Sequence, residues 1–290
     1  MYIRFFSGES LGTRGMATYV EVDGLRVFID PGVALGPRRY GLPPHPVERY
    51  VMDRQWRDIV RNASSSDIVV VTHYHYDHHN PREYVYEVYG GKDVFIKDPY
   101  NFINPSQIRR SRFFMRRMRE EGVDLDSVHV ADGSKLYYGD VYIEFSPPFY
   151  HGENPRLGYV VMVYIECGDE SLLYSSDVEG PMYDGPYKYI LGKRPKILIL
   201  DGPPTYLDKV GEEALASSLG YISNILRMEE LEVLILEHHF LRDRRYLDIL
   251  KSIDGFDELG WKVMNFASYM KAPQMFYEMI RDELYYGQGG

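Results

Sequence analysis

Two periods of hydrophobic residues follow one another along the chain. Residues 2–6, 17–22 and 25–30 run apolar or alternate with period two, which predicts three strands, and Asp23-Gly24 between the last two is a hairpin-turn pair. From Pro46 to Asn62 the apolar positions fall at helical spacing, with Met52, Trp56, Ile59 and Val60 on one face. Ile68-Val69-Val70-Val71 is a β-branched run of the kind that forms a buried strand. A short helix over 81–89, a strand over 93–97 and a helix over 105–121 follow. Short strands are predicted at 127–130, 135–138 and 141–145, then a hairpin of 159–166 with 171–174, and a Gly/Pro/Tyr loop over 178–195 with room for a helical turn. Beyond it strands at 196–200 and 233–236 alternate with a helix over 212–228. Helices at 243–252 and 273–285 close the chain, with a short strand near 262–264. The expected class is α/β. No repeat of fixed period and no long Gly/Ser linker divides the sequence, so one domain over 1–290 is expected.

Composition narrows the class without changing it. Hydrophobic content of 44% and charged content of 26% suit a globular chain with a sizeable core. No apolar run has the length of a membrane span, Met1-Tyr2-Ile3-Arg4 does not begin a secretory signal, and a cytoplasmic enzyme is expected. The single cysteine, Cys167, excludes an intrachain disulfide framework and a Cys-rich zinc module. With 33 basic and 43 acidic residues the net charge is −10, which argues against broad affinity for polyanions but leaves room for a local basic patch.

The polar residues that change the picture sit at strand ends. Thr72-His73-Tyr74-His75-Tyr76-Asp77-His78-His79 follows the run 68–71 directly and supplies four imidazoles and a carboxylate within seven residues. Side chains alternate along an extended chain, so His73 and His75 point the same way, and Asp77 and His78 follow as the chain turns. Imidazole nitrogen with carboxylate oxygen suits zinc, iron and related ions. A His-rich surface turn is the competing explanation; it fits one histidine better than it fits four behind a buried strand. Asp30-Pro31-Gly32, His151-Gly152, Ser175-Ser176-Asp177 and Glu237-His238-His239 also lie at or just beyond predicted strand ends. Taken singly, Asp30 reads equally well as a turn cap, and His151 as a structural histidine.

The order "FIDPG", "VVVTHYHYDHH", "HG", "LLYSSD", "LILEHH" resembles the metallo-β-lactamase superfamily over essentially the whole chain. The resemblance implies an αββα four-layer sandwich with a two-metal site at one edge. It implies that His73, His75 and His151 hold one ion, that Asp77, His78 and a final histidine hold the other, and that Asp177 bridges them. Asp30 would orient ligands from behind. The final ligand is read as His238, because "LILEH" repeats the layout of "VVVTH"; His239 is the alternative. Stretches such as "DPGVALGPRRYGLPPHPVE" and "INPSQ" resemble a small, mainly archaeal group within the superfamily. The motif departs from many hydrolytic members, which have Gly two residues after its last histidine; here His79 and Asn80 follow His78.

The implied chemistry is hydrolysis. Two divalent ions, zinc first with manganese or iron as alternatives, share a water, lower its pKa toward neutrality and polarise the bond to be cut. Asp77 and Asp177 are the catalytic carboxylates on that reading. The substrate is a small molecule or a nucleic acid, with a phosphoester or phosphodiester favoured. A lactone, thioester or amide is the alternative, and a metal-bound binding protein the non-enzymatic one. The phosphate preference rests on Arg109, Arg110, Arg112, Arg116, Arg117 and Arg119, and on Arg38-Arg39, although a helix face of that kind reads first as solvated. No membrane partner is expected, and a homo-oligomer is left open. His45, His79 and His129 are spare histidines with no assigned role.

Overall fold

A computed structural model describes residues 1–287. The first half of the chain forms β1 (Tyr2–Phe5), β2 (Thr18–Val22), β3 (Leu25–Ile29), α1 (Pro46–Ser64), β4 (Ile68–Val71), α2 (Val85–Tyr89), β5 (Asp93–Ile96), α3 (Pro105–Glu120) and β6 (Val128–Val130). The second forms β7 (Lys135–Tyr138), β8 (Val141–Phe145), β9 (Phe149–Tyr150), β10 (Tyr159–Val160), β11 (Val163–Cys167), β12 (Glu170–Tyr174), α4 (Asp184–Lys193), β13 (Ile197–Asp201), α5 (Glu212–Leu226) and β14 (Val233–Glu237). It closes with α6 (Tyr246–Lys251), α7 (Phe256–Leu259), β15 (Val263–Met264), α8 (Phe266–Tyr269) and α9 (Arg281–Tyr286).

One sheet runs β1-β2-β3-β4-β5-β6 and the other β15-β14-β13-β12-β11-β8-β7. Hairpin-connected strands pair antiparallel. Those joined through helices, β3 to β4 to β5 and β12 to β13 to β14, pair parallel. Strand alternation builds four layers from these two sheets. In β4, Ile68 and Val70 face the core between the sheets, while Val69 and Val71 face Trp56, Ile59 and Ala63 of α1 and Phe114 and Met118 of α3. In the second sheet Leu172, Tyr174, Ile199 and Ile235 face inward, whereas Leu173, Leu198, Leu200, Leu234 and Leu236 face Ile190 of α4 and Ile222 and Ile225 of α5. Both faces of the central strands are buried, which is why they read as continuous apolar runs. This is the αββα metallo-β-lactamase fold that the motif order implied.

Several expected elements differ in extent. The helix expected over 81–89 starts only at Val85, because Tyr84 takes left-handed backbone (φ 55°) and Pro81 precedes it. The strand expected over 159–166 is broken at Val161-Met162. The Val161 N–H donates to the Thr72 carbonyl in the other half (3.2 Å) and the Met162 N–H to the Ser146 hydroxyl (2.8 Å), so neither continues a ladder. The 178–195 loop contains the ten-residue α4, whose Gly185, Pro186 and Gly192 hide its helical period while Ile190 buries against the second sheet. The closing helices shrink to 246–251 and 281–286. Residues 288–290 of the expected span lie outside the described residues. No helix among the described residues is long and apolar enough to cross a membrane.

Candidate metal centre

The ends of β3, β4, β12, β13 and β14 meet at one edge of the sandwich, where the chain turns sharply. Three of those turns place a non-glycine residue in left-handed backbone: Asp30 (φ 52°), Ser176 (φ 54°) and His238 (φ 61°). Such strained positions persist only where the surroundings over-determine them. Around Asp30 they do. Its carboxylate accepts from the Thr72 N–H (2.7 Å), the Thr72 hydroxyl (2.6 Å) and the Tyr174 hydroxyl (2.7 Å), and lies 2.8 Å from His78 Nδ1. Gly32 completes the turn. A Cβ there would come 2.5 Å from the backbone of His78 and His79, so only glycine lets the 30–32 turn rest against the 77–79 turn.

Asp177 stands at the centre. His78 Nε2 lies 3.0 Å from its Oδ1, and His151, His238 and His73 Nε2 lie 3.2, 3.4 and 3.6 Å from its Oδ2. Several overlapping sets of donor atoms, each within 4.8 Å of one another, share this edge, among them His73, His75, His151 and Asp177; beside them Asp77, His78 and His238; and Asp177, His238 and His239. The seven residues that sequence and resemblance singled out are therefore brought together. None of His73 Nε2, His78 Nε2, His151 Nε2 and Asp177 Oδ1 makes an aligned hydrogen bond, although all are buried. Buried polar atoms are rarely left so. A cation would satisfy them together, and a nitrogen and carboxylate donor set fits a zinc-like ion.

The side of each ring turned away from Asp177 is tied down in most cases. His78 Nδ1 meets Asp30, and His238 Nδ1 meets Glu9 Oε2 at 2.9 Å. His73 Nδ1 has only hydroxyls, Ser176 Oγ at 3.3 Å and Thr72 Oγ1 at 3.4 Å. His151 Nδ1 lies 3.4 Å from Glu179 Oε1. These contacts leave Nε2 facing inward at each ring, as in carboxylate-supported metal histidines.

The electrostatics of the polypeptide alone are lopsided. Burial, then neighbouring imidazoles, hold His73 well below the ordinary histidine range; His75 is likewise lowered, by burial and then His151. At His78 burial is overridden by Asp177 and Asp30, and the ring rises to about 10; at His151 it is overridden by Asp177 and Glu179, again to about 10. Against burial, His78 and His238 keep both Asp77 and Asp177 below the usual carboxylate range. The cluster thus holds protons to balance its buried carboxylates. Divalent cations would replace those protons.

His238 and His239 both reach the site. His238 is fully buried within the second set, 3.8 Å from Asp77 Oδ2. His239 does not point elsewhere, as alternation along an extended strand predicts. The left-handed His238 opens a 3-10 turn over 238–242, so the two rings lie on one side, 4.4 Å apart. His239 Nδ1 meets both oxygens of Asp201 (3.0 and 3.1 Å), and its ring lines the cleft.

Sequence reasoning missed Glu9, Glu179 and Asp201. Glu9 also takes the Nε of Arg242 (2.7 Å). Asp201 holds the backbone N–H groups of Glu179 (2.9 Å) and His239 (3.0 Å) besides the His239 ring. Only Asp201 carried a signal, since "LILDGPP" ends a strand in a carboxylate and a turn as "FIDPG" does. Of the spare histidines, His45 caps α1 and His129 pairs with Asp93, both away from the cleft. His79 is buried beside it, its Nδ1 on the His75 carbonyl (2.9 Å).

The arginines of α3 divide. Arg109, Arg112, Arg116 and Arg119 are exposed, and Arg117 pairs with Glu120. Arg38 is exposed, and Arg39 donates to the Arg242 carbonyl (2.6 Å). Arg110 alone of this group lines the cleft, a space of about 300 Å³ that also reaches His75, Asp177 and His239. Arg14 and Arg242 line it too, but each is held by a carboxylate, Glu278 and Glu9.

Comparison with known proteins gives the following. The chain is 45% identical over 288 residues to a UPF0282 protein of Korarchaeum cryptofilum, covering 98% of this chain and 94% of the relative. It is 39% identical over 282 residues to a UPF0282 protein of Sulfolobus acidocaldarius, covering 96% and 90%. No family model matches. Among solved structures, the isothiocyanate hydrolase from Delia radicum gut bacteria superposes with a TM-score of 0.54 at 15% identity, over 91% of this chain and 96% of that one. That similarity concerns the fold alone.

Proposed function

The chain belongs to the UPF0282 family and has the metallo-β-lactamase fold, and from that footing we propose that it is a metal-dependent hydrolase with two adjacent cations that acts on a phosphoester. One observation carries the reading: two sets of ligand-type atoms meet on the single carboxylate of Asp177, with their buried Nε2 atoms aimed at it. His73, His75 and His151 would hold one cation, Asp77, His78 and His238 the other, and Asp177 both. The cations would supply a water of lowered pKa and neutralise charge that develops on the substrate.

The chain's own groups do the rest. Arg110 carries an uncompensated positive charge to the cleft, which favours a substrate that is already anionic and so favours phosphate over a neutral lactone or amide. His239 lines the cleft while Asp201 fixes its Nδ1, and burial followed by Arg242 holds the ring well below the ordinary histidine range, so its Nε2 would serve as a proton acceptor toward the attacking water. Glu9, Asp30 and Glu179 orient imidazoles from behind.

Elemental analysis and turnover test the reading together. Protein reloaded with zinc or manganese should contain more than one equivalent and cleave an aryl phosphodiester faster than an aryl lactone or thioester. Metal content near zero after reloading rules out the centre; a faster thioester or lactone rules out the phosphate preference.

A further inference from the structure

Beside the metal cleft lies a second cavity, about 510 Å³, between α1, the 33–44 loop and the 76–83 segment. The two are joined. Ala34, Leu35 and Tyr76 line both. Tyr76 is the partition, and each of its neighbours faces one side: Arg110, of the cleft, lies 5.0 Å from its ring and Arg82, of the side cavity, 4.9 Å. Both cation–π contacts favour the ring in this position.

The two compartments differ in chemistry. In the cleft Arg110 meets no carboxylate among the described residues. Its guanidinium donates to the Tyr74 carbonyl (3.3 Å). The side cavity is balanced, with Arg49 and Arg82 against Asp53 and Glu83 at its rim, while Leu35, Met52, Trp56 and Tyr76 supply apolar wall. An anion therefore belongs in the first compartment and an uncharged apolar body in the second. Their combined size suits a small ligand. A polynucleotide would need a track of free cations leading away from the cleft. Arg14 and Arg242 are neutralised by Glu278 and Glu9, Arg117 pairs with Glu120, the other α3 arginines lie on the solvent face, and the chain is acidic.

The geometry points to a bipartite substrate site: Arg110 receives the phosphoryl group of a small organic phosphoester at the metal cleft, and the cavity walled by Leu35, Met52, Trp56 and Tyr76 seats its ring-sized apolar body. The phosphoryl half of this inference rests on the metal-hydrolase reading above; the apolar half stands on the cavity. Trp56 provides an internal reporter. The only other tryptophan, Trp261, is 70% exposed and can be replaced by Phe.

The test uses the zinc-loaded full chain and two phosphonates that cannot be hydrolysed, 4-nitrobenzylphosphonate and methylphosphonate. Calorimetry should show the aryl compound binding at least tenfold more tightly, and in Trp261→Phe protein it should quench Trp56 saturably. Met52→Trp, which fills the cavity, should abolish that preference; Val33→Asp, in the 33–44 loop and lining the side cavity but not the cleft, reads the same effect if Met52→Trp fails to fold. Arg110→Gln should weaken both phosphonates about tenfold and leave their ratio in place. Equal affinities in the unmodified chain, or a preference that survives both cavity variants, overturns the apolar seat; undiminished binding in Arg110→Gln overturns the anion site. Zinc content and turnover are measured on the same preparation. Absent turnover with the aryl preference intact counts against the hydrolase and not the cavity, whereas intact turnover without the preference counts against the cavity alone.

Discussion

The two halves of the candidate metal centre are built differently. In the set around His73, His75 and His151, the rings are backed by hydroxyls at 3.3–3.4 Å and by Glu179 at 3.4 Å. In the set around Asp77, His78 and His238, each imidazole is backed by a buried carboxylate at 2.8 or 2.9 Å, Asp30 or Glu9. A carboxylate behind an imidazole fixes its tautomer and raises its basicity. Burial without such support has the opposite effect, and His73 and His75 are the rings it depresses most plainly. The difference predicts an order: the carboxylate-backed set should grip its cation more tightly, and the hydroxyl-backed set should exchange.

The largest expected effect comes from removing what the two sets share. Asp177→Ala should reduce hydrolysis to background while the cooperative unfolding transition is retained, because the cores between and outside the sheets do not involve this residue. Wild-type turnover in the variant would mean that the two sets do not work through one carboxylate. A chelator then reads the asymmetry directly. Metal should leave the intact protein in two phases, and His73→Ala should remove the faster one. A single phase would dissolve the comparison.

Smaller effects should come from the backing groups. Glu9→Gln keeps the size of the side chain but removes its charge from His238 Nδ1, and should weaken the second site about 10–100-fold. Ser176→Ala removes one long hydroxyl contact from His73 and should change the first site by less than that. Competition with a chromogenic chelator measures both. Equal losses would show that the distances and charges contrasted above do not set affinity.

Glu9 also shows where the sequence stopped being legible. The candidate ligand run 73–78 stands out because several donors crowd into a few residues behind a β-branched strand, whereas Asp30 and Asp177, each ending a strand in a turn, take their roles from the family resemblance. Glu9 lies in an unremarkable loop and reaches His238 across 229 positions of chain, a contact that exists only once β1 and β14 belong to one folded edge. The same holds for the fold. Period and order placed every long strand of both sheets. The break at Val161-Met162 depends on the Thr72 carbonyl of the opposite sheet, and α4 on burial of Ile190, neither of which local pattern contains.

The smallest effect on metal should come from His239, and it discriminates most sharply between two registers. Alternation along β14 selects one of two adjacent histidines, but the left-handed backbone at His238 ends the strand there and turns both rings to the site. Choice between them therefore passes from strand geometry to what holds each ring. His238 is fully buried, with Nδ1 on Glu9 and Nε2 3.4 Å from Asp177; His239 is tied through Nδ1 to Asp201 and keeps its ring at the cleft wall. His238→Ala should accordingly empty the tighter site. His239→Ala should retain both metals and lower turnover about 10²–10⁴-fold, the range for a lost general base, with Asp201→Asn shifting activity in the same direction. If His239→Ala loses metal and His238→Ala does not, the ligand is the histidine one residue later, and Asp201 becomes the carboxylate that backs it.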